Sequence, residues 1–168
     1  MPSSYKLNRE KSILARFVEL LTFELDLDLL SAGSTTLKSP LAQRELEPAE
    51  CYWTRNEPLV RGTSQLDLRV DSPPDLVIEV EVTNSVQDRL AIFAALGVPE
   101  IWRFQEDEIQ VLLLQRDGRY APSTNSLSFP DLPMKKLSGF VMRCHDMRET
   151  DLMRSFVDWV RAGMPTEG

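Results

Sequence analysis

A mixed α/β fold, with a central β-sheet flanked by helices, is what this sequence predicts, and three features predict it. Residues 75–83 (DLVIEVEVT) follow Pro73-Pro74 and contain neither Gly nor Pro, which marks a central strand. A helical pattern then runs to Gly97, and after Pro99 the alternating Glu100-Ile101-Trp102-Arg103-Phe104 returns as a strand. Strand, helix and strand make a unit that requires a right-handed crossover and a parallel pair. Farther on, Ile109 to Leu114 and Arg119-Tyr120 flank the turn sequence Asp117-Gly118, which closes an antiparallel hairpin and makes the sheet mixed.

Taken in order, the first element is an amphipathic helix from Ser12 to about Glu24, because Ile13, Leu14, Phe17, Val18, Leu20 and Leu21 recur at helical spacing. Leu25-Asp26-Leu27-Asp28-Leu29 alternates as a short strand does, and Ser31 to Ser39 has the Gly, Ser and Thr of a loop. Glu50 to Thr54, aromatic-rich and bounded by Pro48 and Pro58, reads as a strand, with Leu66 to Val70 a short extended continuation. Asn84 and Ser85 are caps for the helix that carries Val86, Leu90, Ile92, Phe93 and Leu96 and stops at Gly97. After a Pro- and Ser-rich connection from Pro122 to Pro133, a C-terminal helix carries Leu152, Met153, Phe156, Trp159 and Val160. The whole chain, 1–168, reads as one domain with a frayed tail at 165–168.

At 168 residues the chain is long enough to bury a core without disulfide or metal staples. Its 19 basic and 26 acidic side chains give a net charge of −7, so a nucleic-acid partner would need a local basic patch. Cys51 and Cys144 are isolated thiols, which suits a reducing cytoplasm, and no apolar run approaches the ~20 residues of a membrane span. His145 is the only histidine, which excludes cages and relays that need two, and neither a GxSxG elbow, a P-loop nor a GxGxxG turn is present. Tyr52, Trp53 and Trp102 read as core aromatics on strands.

Chemistry concentrates on the central strand. Side chains alternate, so Asp75, Val77, Glu79 and Glu81 share one face and Leu76, Ile78, Val80 and Val82 the other. Neighbouring positions on a face lie ~7 Å apart, which suits carboxylates converging on a divalent cation with water between them. Charge on a strand is by default a solvated sheet face, which is one reading of Glu79 and Glu81; against it, a strand that feeds a parallel crossover is usually covered on both faces, and acids in its middle then need a counter-charge or a metal.

Pro74 to Val80, Arg89 four residues before Phe93, and Gly97-Val98-Pro99-Glu100-Ile101-Trp102-Arg103 resemble the Uma2 family, also called DUF820, of the PD-(D/E)XK nuclease superfamily. Residues 33–38 and 46–52 resemble its cyanobacterial branch. The resemblance implies a restriction-endonuclease-like core and a Mg²⁺-dependent (or Mn²⁺-dependent) DNA endonuclease. Glu79 matches the metal-binding acid, Glu81 stands where the superfamily usually has Lys, and Asp75 matches the Asp that begins the family strand. Arg89 takes the place of the family Lys; it can clamp a phosphate but is a poor proton carrier. Ala49 stands where the family pattern has Asp, and Glu50 could replace that ligand only if a bulge turns it to the same face. Arg55, Arg61, Arg69, Arg89 and Arg103 are the cations that would attract phosphate. The alternative is a catalytically inactive member that serves as a DNA-binding or protein-interaction module, and a homodimer is compatible with either.

Overall fold

The computed structural model describes residues 4–40, 43–80 and 86–167. Helix α1 (Ser4–Leu25) begins eight residues before the predicted start. Its buried stripe opens with Leu7 and then admits Glu10, which is 1% exposed. Lys6 Nζ at 2.8 Å and His145 Nε2 at 3.0 Å contact the Glu10 carboxylate, so an acid occupies what is otherwise an apolar position and hides the periodicity. The helix ends at Asp26, in the left-handed region with φ 53°, and Leu27 N–H closes it by donating to Thr22 C=O. That turn replaces the strand expected at Leu25 to Leu29, and only β1 (Leu30–Ser31) follows.

The loop expected at Ser31 to Ser39 contains β2 (Leu37–Ser39), which pairs antiparallel with β3 (Arg44–Leu46) as a separate hairpin. Strand β4 (Glu50–Trp53) and a single turn α2 (Glu57–Val60) come next. Leu66 to Val70 forms turns and no strand, because Asp67 and Asp71 fold the backbone back on itself through local hydrogen bonds. Strand β5 (Leu76–Val80), helix α3 (Val86–Leu96) and strand β6 (Glu100–Gln105) form the predicted strand-helix-strand unit, with Gly97 at φ +80° ending the helix. The expected continuation of the strand through Thr83, and the caps Asn84 and Ser85, lie outside the described residues. Strands β7 (Glu108–Leu114) and β8 (Tyr120–Ser123) complete the hairpin about Asp117-Gly118.

Helix α4 (Met134–Met142) was not anticipated, since Ser138 and Gly139 interrupt its pattern, yet Met134, Leu137, Phe140 and Val141 are buried at helical spacing. Helix α5 (Glu149–Arg161) is the predicted C-terminal helix. The main sheet runs β1-β4-β5-β6-β7-β8, parallel between β5 and β6 and antiparallel at every other pairing. One sheet face packs Tyr52, Leu76, Ile78, Trp102 and Val111 against α1, α4 and α5, whose Phe17 and Phe156 rings stack 4.2 Å apart. The other packs Cys51, Trp53, Val77, Ile101 and Leu112 against Phe93 of α3 and against Leu37 and Leu46 of the hairpin. Each such buried side chain stabilises the fold by roughly 1.5–3 kcal/mol. Both faces are covered, as the parallel pair requires. Among the described residues no helix is long and apolar enough to cross a membrane.

Burial pushes the Cys51 thiol up from 9.0 to about 12, with Glu50 adding to the shift. Unfolded, the thiol ionises near pH 9, so between about pH 9 and about pH 12 the unfolded chain releases a proton that the folded one retains. Stability is therefore expected to fall as pH rises through that window, and Cys51→Ser should remove part of the slope in urea titrations. An identical slope in the variant would contradict this.

Candidate functional site

Strand alternation and register decide where the acids go. Val77 faces α3, so Glu79 does too, at the C-terminal end of β5, while Ile78 faces α1. In β4, Glu50 is opposite Ile78 and Cys51 opposite Val77 in an unbroken register, with no bulge. Glu50 therefore lies on the α1 face, where Lys11 Nζ is 3.6 Å from its carboxylate. Ala49 immediately precedes β4 and brings no carboxylate.

Glu79 meets Arg89, ten residues on and one turn before Phe93 in α3. Arg89 Nε donates to Oε2 at 2.8 Å and Nη2 to Oε1 at 2.9 Å, a bidentate pair. Arg89 Nη2 also donates to Glu47 C=O at 2.9 Å, which ties the approach to β4 to the same point. The guanidinium carbon stands 5.9 Å from the Phe93 ring centre. The hydrogen bond to Glu79 holds the Arg89 guanidinium still more firmly protonated than usual. Glu79 and Arg89 side chains are 14% and 32% exposed, so the pair is at the edge of the core and reachable from solvent.

Asp75 lies four residues before Glu79, roughly 13 Å along the strand. It is 4% exposed, and its carboxylate turns to the segment after β4. Oδ2 accepts from Thr54 N–H at 2.8 Å and Asn56 N–H at 2.9 Å, and Oδ1 from Asn56 Nδ2 at 2.7 Å. Asp75 holds a turn at the opposite end of the strand from Glu79. Glu81 lies outside the described residues. The structure thus brings Glu79 and Arg89 together and leaves Asp75 and Glu50 apart from them.

A Mg²⁺ ion needs near-octahedral oxygen ligands at ~2.0–2.1 Å, ordinarily two carboxylates with water or phosphate. Among the described residues no three His, Cys, Asp or Glu side chains stand close enough to hold a metal. At the C-terminal end of β5 the described strand carboxylate is that of Glu79, and both its oxygens are already hydrogen-bonded to a guanidinium. The described residues alone do not make up the ligand set that the resemblance implies, and Glu81 lies outside them.

Sequence reading missed the role of a further buried acid, Glu100. Glu100, 0% exposed at the start of β6, accepts through Oε2 from Trp102 Nε1 at 2.9 Å, Ser126 Oγ at 2.6 Å and Leu127 N–H at 3.1 Å. Its Oε1 accepts from Ser128 N–H at 2.8 Å. Three of these donors come from a loop 26 to 28 residues away, which no local pattern announces. Of the five arginines proposed to attract phosphate, Arg61 pairs with Glu57 at 2.6 Å and Arg69 with Asp67 at 2.8 Å. Arg55 is exposed near Asp75, at the far end of the sheet from Glu79. Arg103, directly opposite Glu79 in the β5–β6 register, has the neutral Gln110 as its hydrogen-bond partner.

A family model, Uma2, described as "Putative restriction endonuclease", matches residues 1–141. Among solved structures the chain is similar to "a putative nuclease belonging to DUF820" from Anabaena variabilis, with 13% identity over 94% of this chain and 84% of that one and a TM-score of 0.49. No curated protein matches it.

Proposed function

Given that the chain belongs to the Uma2 family of restriction-endonuclease-type proteins, we propose that it is a DNA-directed member whose phosphodiesterase centre is closed, so that it engages the nucleic-acid backbone without cutting it. The observation that carries this reading is the Glu79–Arg89 pair. One guanidinium takes both oxygens of the acid that matches the family's metal ligand. A carboxylate so engaged either offers a cation only its remaining lone pairs, beside a guanidinium that repels it, or gives up two charge-assisted hydrogen bonds that contribute roughly 1.5–3 kcal/mol each. Ala49 supplies no second carboxylate to offset that loss, although Arg89 reaches the backbone only two residues before it.

Plasmid nicking in Mg²⁺ or Mn²⁺ tests the reading. Wild type and Glu79→Ala are expected to show the same background. The double variant Ala49→Asp, Arg89→Lys, which adds a carboxylate and replaces the fork with a point charge, is expected to gain a metal-dependent signal. Wild-type nicking that requires metal and disappears in Glu79→Ala would instead establish a working endonuclease and overturn the closed centre.

A further inference from the structure

Across the sheet, Glu79 of β5, Arg103 of β6 and Gln110 of β7 are register partners and form one row on the α3 face. The row and Arg89 together carry two guanidinium groups and one carboxylate, a local excess of positive charge in a chain of net charge −7. Since Glu79 is bonded to Arg89, the acceptor that Arg103 has among the described residues is Gln110 Oε1, reached by Nη2 at 2.6 Å. Its Nε–H is buried with no acceptor among the described residues. A buried guanidinium N–H without a partner is uncommon and costly, and a guanidinium that ends on a neutral amide keeps its full charge for another ligand.

We propose that Arg103, positioned by Gln110, is a phosphate-contacting residue of this protein and that its ligand is a phosphodiester of the DNA backbone. The inference rests on the nucleic-acid reading above and deepens it. A phosphate supplies the counter-charge that Arg103 lacks and matches its terminal N–H groups bidentately. Of the five arginines that the sequence offers for phosphate, Arg61, Arg69 and Arg89 are paired with carboxylates and Arg55 stands at the far end of the sheet, whereas Arg103 adjoins Glu79.

The test is fluorescence anisotropy with a labelled DNA duplex over a range of salt concentrations, accompanied by an inorganic pyrophosphate titration followed by NMR. Wild type is compared with Arg103→Gln, Arg103→Lys and Gln110→Leu. Arg103→Gln is expected to weaken DNA binding about tenfold and to lower the salt slope by about one, while its thermal unfolding stays near that of wild type. Arg103→Lys should keep most of the slope and lose part of the affinity, because it retains charge without the fork. Wild-type DNA affinity and slope in Arg103→Gln would overturn the Arg103 assignment and leave the nucleic-acid reading standing. Failure of wild type to bind DNA, with pyrophosphate binding that Arg103→Gln abolishes, would overturn the nucleic-acid reading and support the phosphate site. Failure with both ligands would overturn both.

Discussion

Replacing Glu100 by Ala is expected to destabilise the protein by about 3–5 kcal/mol, the largest single effect of any acid in the molecule. The carboxylate is fully buried and collects four donors: the Trp102 indole, the Ser126 hydroxyl and the backbone N–H groups of Leu127 and Ser128. The Ser126 hydroxyl in turn accepts from Phe129 N–H at 3.0 Å, so the loop before α4 is organised around this one side chain. Without it three N–H donors and a hydroxyl lose their acceptor at once, and a cavity opens beneath Trp102 and Phe129, whose rings lie 6.0 Å apart. Glu100→Gln should be intermediate, about 1–2 kcal/mol, because an amide oxygen in the Oε2 position keeps three of the four contacts and its NH₂ then opposes Ser128 N–H. Thermal and urea unfolding of the two variants checks the series. For a chain of this size the alanine change corresponds to roughly 10 °C in midpoint, and a shift under about 2 °C would show that the loop finds other acceptors.

Removing the Asp75 carboxylate as Asp75→Ala is expected to cost about 2–4 kcal/mol, and by the same amount whether Mg²⁺ or a chelator is present. The acid resembles a metal ligand in sequence, and a ligand's removal would leave the metal-free protein's stability nearly unchanged. Here it accepts three hydrogen bonds that fix Thr54 and Asn56 where the chain leaves β4. Its own N–H donates to Tyr52 C=O at 2.9 Å, so it joins β4 and β5 from both sides. Asp75→Asn should lose less, since one amide oxygen can still serve Thr54 and Asn56 N–H. Urea unfolding in the presence and absence of Mg²⁺ separates the roles: a loss confined to the Mg²⁺ samples would restore the metal-ligand reading.

Much of the architecture was legible because it rests on short-range periodicity. The run from Leu76 to Val80, the helix stopped by Gly97 and the alternation from Glu100 to Phe104 each encode their own dihedrals, and together they imply the parallel pair that the register shows. The assignment of Glu79 to one face and Ile78 to the other follows from the two-residue repeat of a strand. Legibility failed where polar groups took apolar positions or where elements were too short for a period. Glu10 masked the start of α1, Ser138 and Gly139 masked α4, and the three-residue strands β2 and β3 gave no alternation to count.

By itself, then, the amino-acid sequence determined the mixed α/β class, the order of its main elements and the side of the sheet on which each central-strand residue falls. Only the tertiary structure decided which charges meet: that Arg89 closes on Glu79, that Asp75 and Glu100 bind backbone N–H groups, and that Arg103 is left with an amide. The physical reason is range. A dihedral preference is settled within a few residues, but the partner of a buried charge depends on which segment the chain brings back beside it. Tens of residues can separate the two.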